Sequence, residues 1–208
     1  MMLGPAEIFT FLFVMLGPLK LLGPFVQRTR GLDDGTVRQI AFWAFLIATA
    51  GIVAGGLIGR ATLAKWHVSI PALQITAGIV FFLVALRHVL EPYEPVHAPA
   101  AEPLPLPPTP FAAALRLVFP MVLTPYGIAA VIALLAASTE STRMLTILGL
   151  VLVVMVLNLL AMSFGRRILV GAVVMGLQVV GAVLAVLQVA LSVQIILGAL
   201  RSLGVLGA

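Results

Sequence analysis

Hydrophobic residues run along most of this chain in long blocks, and scattered charged residues divide it into six apolar segments. The segments are 8–27, interrupted only by Lys20, and 39–59, 66–86, 117–139, 144–165 and 168–200. About 20 apolar residues in a helix cross a bilayer core of ~30 Å, so the pattern predicts six transmembrane helices. The sixth segment has 33 residues, which predicts one tilted or broken helix rather than an upright one.

A proline-rich linker separates the first three spans from the last three. Residues 91–110 hold eight of the 14 prolines. Because proline fixes φ and has no N–H, this stretch is predicted to be extended. The chain is thereby divided into a first three-helix unit, 1–90, the linker, 91–110, and a second three-helix unit, 111–208.

The two units echo one another. A Leu-Gln-aliphatic triplet occurs around Gln74 in span 3 and around Gln178 in span 6, and prolines recur in the first span of each unit, at Pro18, Pro24, Pro120 and Pro125. An odd number of spans per unit would leave the second unit inverted, which is a plan common in secondary transporters. The predicted fold is an all-α polytopic membrane protein of two inverted three-helix repeats, with broken helices in spans 1 and 4. The same echo limits the membrane part of span 6 to 172–194.

Composition supports a membrane protein and excludes a soluble one. The chain is 62% hydrophobic and 9% charged, with a mean hydropathy of +1.21, whereas soluble domains are about a quarter charged. The net charge of +5 comes from basic residues spread between apolar blocks, so it predicts membrane topology rather than nucleic-acid binding. Seven basic residues fall on one side of the six spans and four on the other. The positive-inside rule then places both termini outside the cytoplasm.

The first candidate site is a pair of Gly-Pro steps around the one charge that lies well inside a span. Gly17-Pro18 and Gly23-Pro24 flank Lys20, and each proline is expected to break the helix by removing a hydrogen bond. Broken helices in lipid present free N–H and C=O groups to a substrate, although a packing kink is the alternative. Lys20 is a partner for a substrate carboxylate, a proton-linked group or a lysine whose ammonium extends to the membrane edge.

The second candidate site is the matching stretch in span 4. Thr124 and Tyr126 supply hydroxyl groups beside Pro125, and Gly127 permits a close approach of the backbone. Tyr126 is alternatively an interfacial anchor. Five amides lie within spans and are expected to hydrogen-bond between helices, with the repeat-related pair favoured as site residues: Gln74, Asn158, Gln178, Gln188 and Gln194.

Other kinds of chemistry have no support in the sequence. Cysteine is absent, and the histidines, at His67, His88 and His97, have no partner at ligand spacing, so neither metal nor cofactor is predicted. No carboxylate pair lies in a span, and no nucleophile elbow or phosphate-binding loop is present, so no enzyme is predicted. The glycines Gly51, Gly55 and Gly59 predict a close helix-packing face, either within the fold or between protomers.

Several of these stretches resemble the MarC family of six-span bacterial inner-membrane proteins, also called the neutral amino acid transporter family. The stretch from Trp66 to Gly78 is similar to the family's third-span signature, roughly F-G-I-S-I-P-x-L-R-I-A-G-G. Pro120, Pro125 and Ile128 match its fourth-span pattern, P-x-x-x-G-P-G-x-I. Its first-span pattern, Asp or Asn before Pro and then Pro and Phe, is matched in part by Pro18, Pro24 and Phe25.

The resemblance implies a transporter fold and a small neutral amino acid as substrate. The chain departs from the family pattern at four places. Gly17 replaces the Asp or Asn, Thr124-Pro125-Tyr126 replaces Gly-Pro-Gly, Gln74 replaces an Arg, and Lys20 is an addition.

Two hypotheses of different class follow. The first is a secondary transporter or exporter of a small solute, which works by alternating access between the halves. The second is a non-transporting accessory subunit of a larger membrane complex. The expected partners are the lipid bilayer, a small solute and either further copies of the chain or other subunits, in a bacterial inner membrane.

Overall fold

The computed structural model describes residues 4–90, 106–138, 140–168 and 172–205. Most of the predicted linker, with His97, lies outside these residues, as does the side chain of Gln178. The described residues form eight α-helices and one irregular π-helical turn at Val118–Val122. The helices are α1 Pro5–Leu16, α2 Pro18–Arg28, α3 Asp34–Lys65, α4 Ile70–Leu90, α5 Pro110–Leu117, α6 Pro125–Ala136, α7 Ser141–Ile168 and α8 Ala172–Ser202.

Five stretches of the described chain are long and apolar enough to cross a membrane. They are Pro5–Arg28, Asp34–Lys65, Ile70–Arg87, Ser141–Arg167 and Val179–Ser202, whereas α6 is a shorter apolar helix. At 1.5 Å per residue, the 12 residues of α6 extend only about 18 Å. Helix α6 alone is therefore too short for the bilayer core, in contrast to the full span predicted for 117–139.

Two predicted boundaries need correction. Span 3 begins later than the hydropathy pattern indicates, because α3 ends in a cap at Trp66 and His67 turns the chain with a positive φ of 54°. Span 6 is neither broken nor limited to 172–194. Helix α8 runs without interruption from Ala172, the first described residue after 168, to Ser202.

Of the two breaks predicted in span 1, only the first occurs. The helix stops at Leu16 and restarts at Pro18, yet α2 runs straight through Pro24. Pro24 still removes the N–H that would bond the Lys20 carbonyl. The break predicted in span 4 is present between α5 and α6.

The long helices α3 and α7 each pack against a broken helix from the other end of the chain. Helix α3 packs against α5 and α6, α7 packs against α1 and α2, and α4 pairs with α8. The core between them is built from buried apolar side chains such as Leu12, Phe25, Ile52 and Met155. Large apolar side chains also cover the outward faces of α3 and α8, for example Ile58 and Val186, as contact with lipid requires.

The glycine face of α3 packs against α6 within the fold. Cβ atoms added at Gly55 and Gly59 would meet the side chains of Ile128 and Ile132, and one at Gly51 would meet Leu123 just before α6. The small residues thus let two helices approach closely. Of the two alternatives for this GxxxG face, the structure supports packing inside one chain.

The turn between α2 and α3 carries its own caps. The Asp33 carboxylate accepts hydrogen bonds from the Thr36 backbone N–H at 2.8 Å and from its hydroxyl at 2.6 Å, which fixes the start of α3. These bonds favour the ionised carboxylate and lower the pKa of Asp33 below its ordinary value.

Arg166 near the end of α7 caps the end of α2. Its guanidinium donates to the backbone carbonyls of Thr29 at 2.5 Å and Leu32 at 2.8 Å, and it pairs with Asp34 at 3.1 Å. We expect Arg166→Ala to lower the free energy of unfolding by about 1–3 kcal/mol, because two carbonyls lose a charged donor. Thermal unfolding in detergent measures this.

Two matched variants separate this cap from mere surface charge. Arg167→Ala removes the adjacent exposed arginine and should change stability by less than about 0.5 kcal/mol. Asp34→Asn removes only a largely exposed ion pair and should cost less than about 1 kcal/mol. Equal melting temperatures for Arg166→Ala and Arg167→Ala would contradict the capping role.

Candidate functional site

The first helix break is set by Gly17 and Pro18. Pro18 has no N–H to continue α1, and a residue before proline is restricted to extended conformations. Gly17 accordingly has φ −73° and ψ 170°. A Cβ atom at Gly17 would overlap the backbone carbonyl of Phe13, so a side chain at this position would require the backbone to shift.

The second break uses the same local chemistry. Phe119, before Pro120, is extended at φ −108° and ψ 130°. Thr124, before Pro125, is extended as well, and its hydroxyl accepts a hydrogen bond from the Gly127 N–H at 3.2 Å. Helices α2 and α6 therefore both start with proline after an extended cap residue.

The two breaks meet at one small cavity. Its lining combines the first break with the second, namely Met15, Leu16, Gly17, Lys20, Leu21, Met121, Val122, Thr124 and Tyr126. Gly127 lies directly against Leu16, and a Cβ atom there would overlap the Leu16 side chain. The cavity volume is about 10 Å³, which is close to the space of a single water.

Lys20 places an isolated ammonium in this cavity. Its Nζ atom is inaccessible and has no hydrogen-bond partner among the described residues. The Nζ atom lies over the Tyr126 ring, 5.2 Å from its centroid and within cation–π range. Lys20 does not extend to a protein surface, and Tyr126 faces the lysine, so both side chains belong to the interior.

Asn158 confirms the expectation that amides within the spans hydrogen-bond between helices, and it adds a contact with the candidate site that was not predicted. Its Nδ2 on α7 donates at 2.6 Å to the carbonyl of Leu16, the last residue of α1 before the first break. Asn158 is fully buried on α7 and is the only asparagine in the chain. A lone amide in the middle of an apolar span was the signal that could have found it.

The remaining predicted residues lie elsewhere. Gly23 and Pro24 are exposed on α2, and Gln74 is half-buried on α4, outside the cavity lining. Gln188, by contrast, is buried and donates to the Met15 sulfur at 3.4 Å. Met15 lines the cavity, so Gln188 contacts a lining residue without lining the cavity itself.

A larger cavity has the wrong chemistry for a polar solute. It has a volume of about 350 Å³ between α3, α4 and α6 and contains none of the predicted site residues. Its two threonines, Thr62 and Thr76, bond back to carbonyls of their own helices. No charged side chain lines it, so we place the candidate site at the smaller cavity.

The two breaks each contact a long helix from the other end of the chain. Leu16-Gly17-Pro18 and Leu123-Thr124-Pro125 are 107 residues apart. Asn158 on α7 contacts the Leu16 carbonyl, and Gly51 on α3, also 107 residues before Asn158, faces the Leu123 side chain. The first break thus lies against α7 and the second against α3.

These features define a polytopic α-helical membrane protein with two helix breaks beside a buried lysine. The sequence profile described as MarC family integral membrane protein matches residues 5–203. The chain therefore belongs to the MarC family. No curated protein and no solved structure matches the chain.

Proposed function

We propose that this protein is a secondary transporter or exporter of a small solute, without chemical conversion of that solute. The observation that carries the proposal is the meeting of two interrupted helices at a cavity with a buried ammonium. Half-helix ends at the centre of a membrane protein are a recurrent way to bind solutes. Helices α5 and α6 together would complete a fourth span.

The proposed mechanism is alternating access between two inverted units, residues 1–90 and 111–208. Its support is the pattern of helix contacts. Helix α3 packs against α5 and α6, as α7 packs against α1 and α2, while α4 pairs with α8. If α1 and α2 are matched with α5 and α6, α3 with α7 and α4 with α8, the contacts of α3 correspond to those of α7. The α4–α8 pair then corresponds to itself.

The cavity would open and close at the contact between the units. In the present conformation its volume would fit about one water molecule. A solute therefore enters only when the Tyr126 ring moves away from Lys20 and Gly127 moves away from Leu16. The proposed location is a bacterial inner membrane with both termini outside. The seven-to-four distribution of basic residues supports this orientation.

The family resemblance suggests a neutral amino acid as the first solute to test. Purified protein in liposomes is expected to exchange labelled amino acid, and both Lys20→Ala and Tyr126→Phe should change the flux without unfolding the protein. Arg167→Ala is the matched control and should transport normally. Normal flux in both cavity variants would reject these residues as part of the site.

The small size of the cavity favours one alternative, a non-transporting accessory subunit. Such a protein should copurify with other subunits at fixed stoichiometry in mild detergent, which mass spectrometry of the complex detects. Stable partners together with no solute exchange in liposomes would overturn the transporter proposal.

A further inference from the structure

The small cavity where the two breaks meet, called the central cavity below, is lined by charge of one sign. Lys20 supplies a buried ammonium, and no acidic residue lines the cavity. The acidic residues that the structure describes lie at helix ends, at Glu7, Asp33, Asp34 and Glu140. A solute at this position therefore meets a cation without a balancing carboxylate.

Backbone groups add to this positive character. Helices α2 and α6 both begin at the cavity, with Gly17 and Thr124 as their cap residues. The start of a helix carries partial positive charge and exposes N–H groups. Two such ends beside Lys20 stabilise an anion.

One of the acceptors that the first break frees is already occupied. A broken helix frees carbonyl groups at its end, and these are the usual ligands for an ammonium or a metal ion in membrane proteins. The Leu16 carbonyl is bonded by Asn158 at 2.6 Å. In addition, the electron-rich face of Tyr126 is directed at Lys20.

From this set of groups we infer that the central cavity selects a small monoanion, of the carboxylate class, over a zwitterion. The inference rests on the transport site proposed above and names its substrate class. An anion pairs with Lys20. The ammonium of an amino acid would lie close to that lysine in a low-dielectric interior, where like charges repel strongly. The site thus differs from one built for neutral amino acids.

Three matched probes test the inference directly on the purified full-length protein in detergent. Radiolabelled acetate carries only the carboxylate, methylammonium only the cation, and glycine both. Equilibrium binding at pH 7 in a carboxylate-free buffer should show saturable acetate binding. Glycine should bind at least tenfold more weakly, and methylammonium should not bind.

Variants locate that binding at the cavity. Lys20→Met keeps an unbranched side chain and should weaken acetate binding at least tenfold, whereas Lys65→Met, at an exposed position, should not. Lys20→Arg keeps the charge and should retain acetate binding, which guards against loss of the fold in the Met variant. Melting curves of all three variants accompany the binding data.

The outcomes separate this inference from the proposed transport. Absent acetate binding, or glycine binding as tight as acetate and unchanged in Lys20→Met, overturns the anion site. Liposome flux is measured independently. Acetate binding without any flux supports the anion site and contradicts transport, whereas glycine flux without acetate binding supports transport and contradicts the anion site.

Discussion

Replacement of Gly17 by alanine is expected to destabilise the protein by about 2–3 kcal/mol and to abolish solute exchange. The new methyl group would overlap the Phe13 carbonyl, a backbone group, so the end of α1 would have to shift. The same shift would displace Leu16 and the start of α2, both of which line the cavity. Thermal unfolding in detergent and flux in liposomes measure the two effects.

Two other glycines supply controls for this variant. Gly149→Ala lies in the middle of α7, where no atom comes within 4 Å of the added methyl group, so helix propensity should leave stability equal or higher. Gly23→Ala also meets no atom within 4 Å, and its cost is confined to the restriction before Pro24. Equal losses at Gly17 and Gly149 would show that the break does not depend on a missing side chain.

Removal of the Asn158 amide is expected to have the second largest effect. Asn158→Leu keeps a side chain branched at Cγ but leaves the Leu16 carbonyl without the donor at 2.6 Å. A buried polar group left unpaired costs about 1–3 kcal/mol, and the first break should lose its fixed geometry. We expect a lower melting temperature and a reduced rate of solute exchange.

Gln194→Leu is the matched control for Asn158→Leu. Gln194 is an exposed amide on α8 in a candidate span, so the same chemical change should be neutral or stabilising in a bilayer. If both leucine variants unfold at the wild-type temperature, Asn158 does not hold the break.

Local chemistry made much of the fold predictable. The break before Pro18 and the start of α6 at Pro125 follow from a missing N–H and from the restriction on the preceding residue. Long apolar runs located the major helices in the same way. Identical dipeptides nevertheless behave differently, since Gly17-Pro18 breaks the helix and Gly23-Pro24 does not. That difference depends on residues that are close in space but distant in the sequence.

The candidate site was predictable only in part for the same reason. Lys20 and Tyr126 are each recognisable in the sequence as a polar group in an apolar segment. Their pairing, however, depends on the packing of α2 near α6. Asn158 reaches a carbonyl 142 residues away. Its role follows from the packing of α7 beside α1, and a single sequence carries little information about such long-range contacts.

The exchange of packing partners between the two units has a consequence for biosynthesis. Helices α1 and α2 leave the ribosome first, but α7, which packs against both, is made more than 100 residues later. Until then the Lys20 ammonium and the Leu16 carbonyl lie in a half-made protein without their final surroundings, and a lysine at the centre of a span costs about 2.5–3.5 kcal/mol on insertion. Helices α1 and α2 must therefore stay in the membrane without their packing partner until α7 is made. A nascent chain that stops at the linker lacks the helices that complete its core.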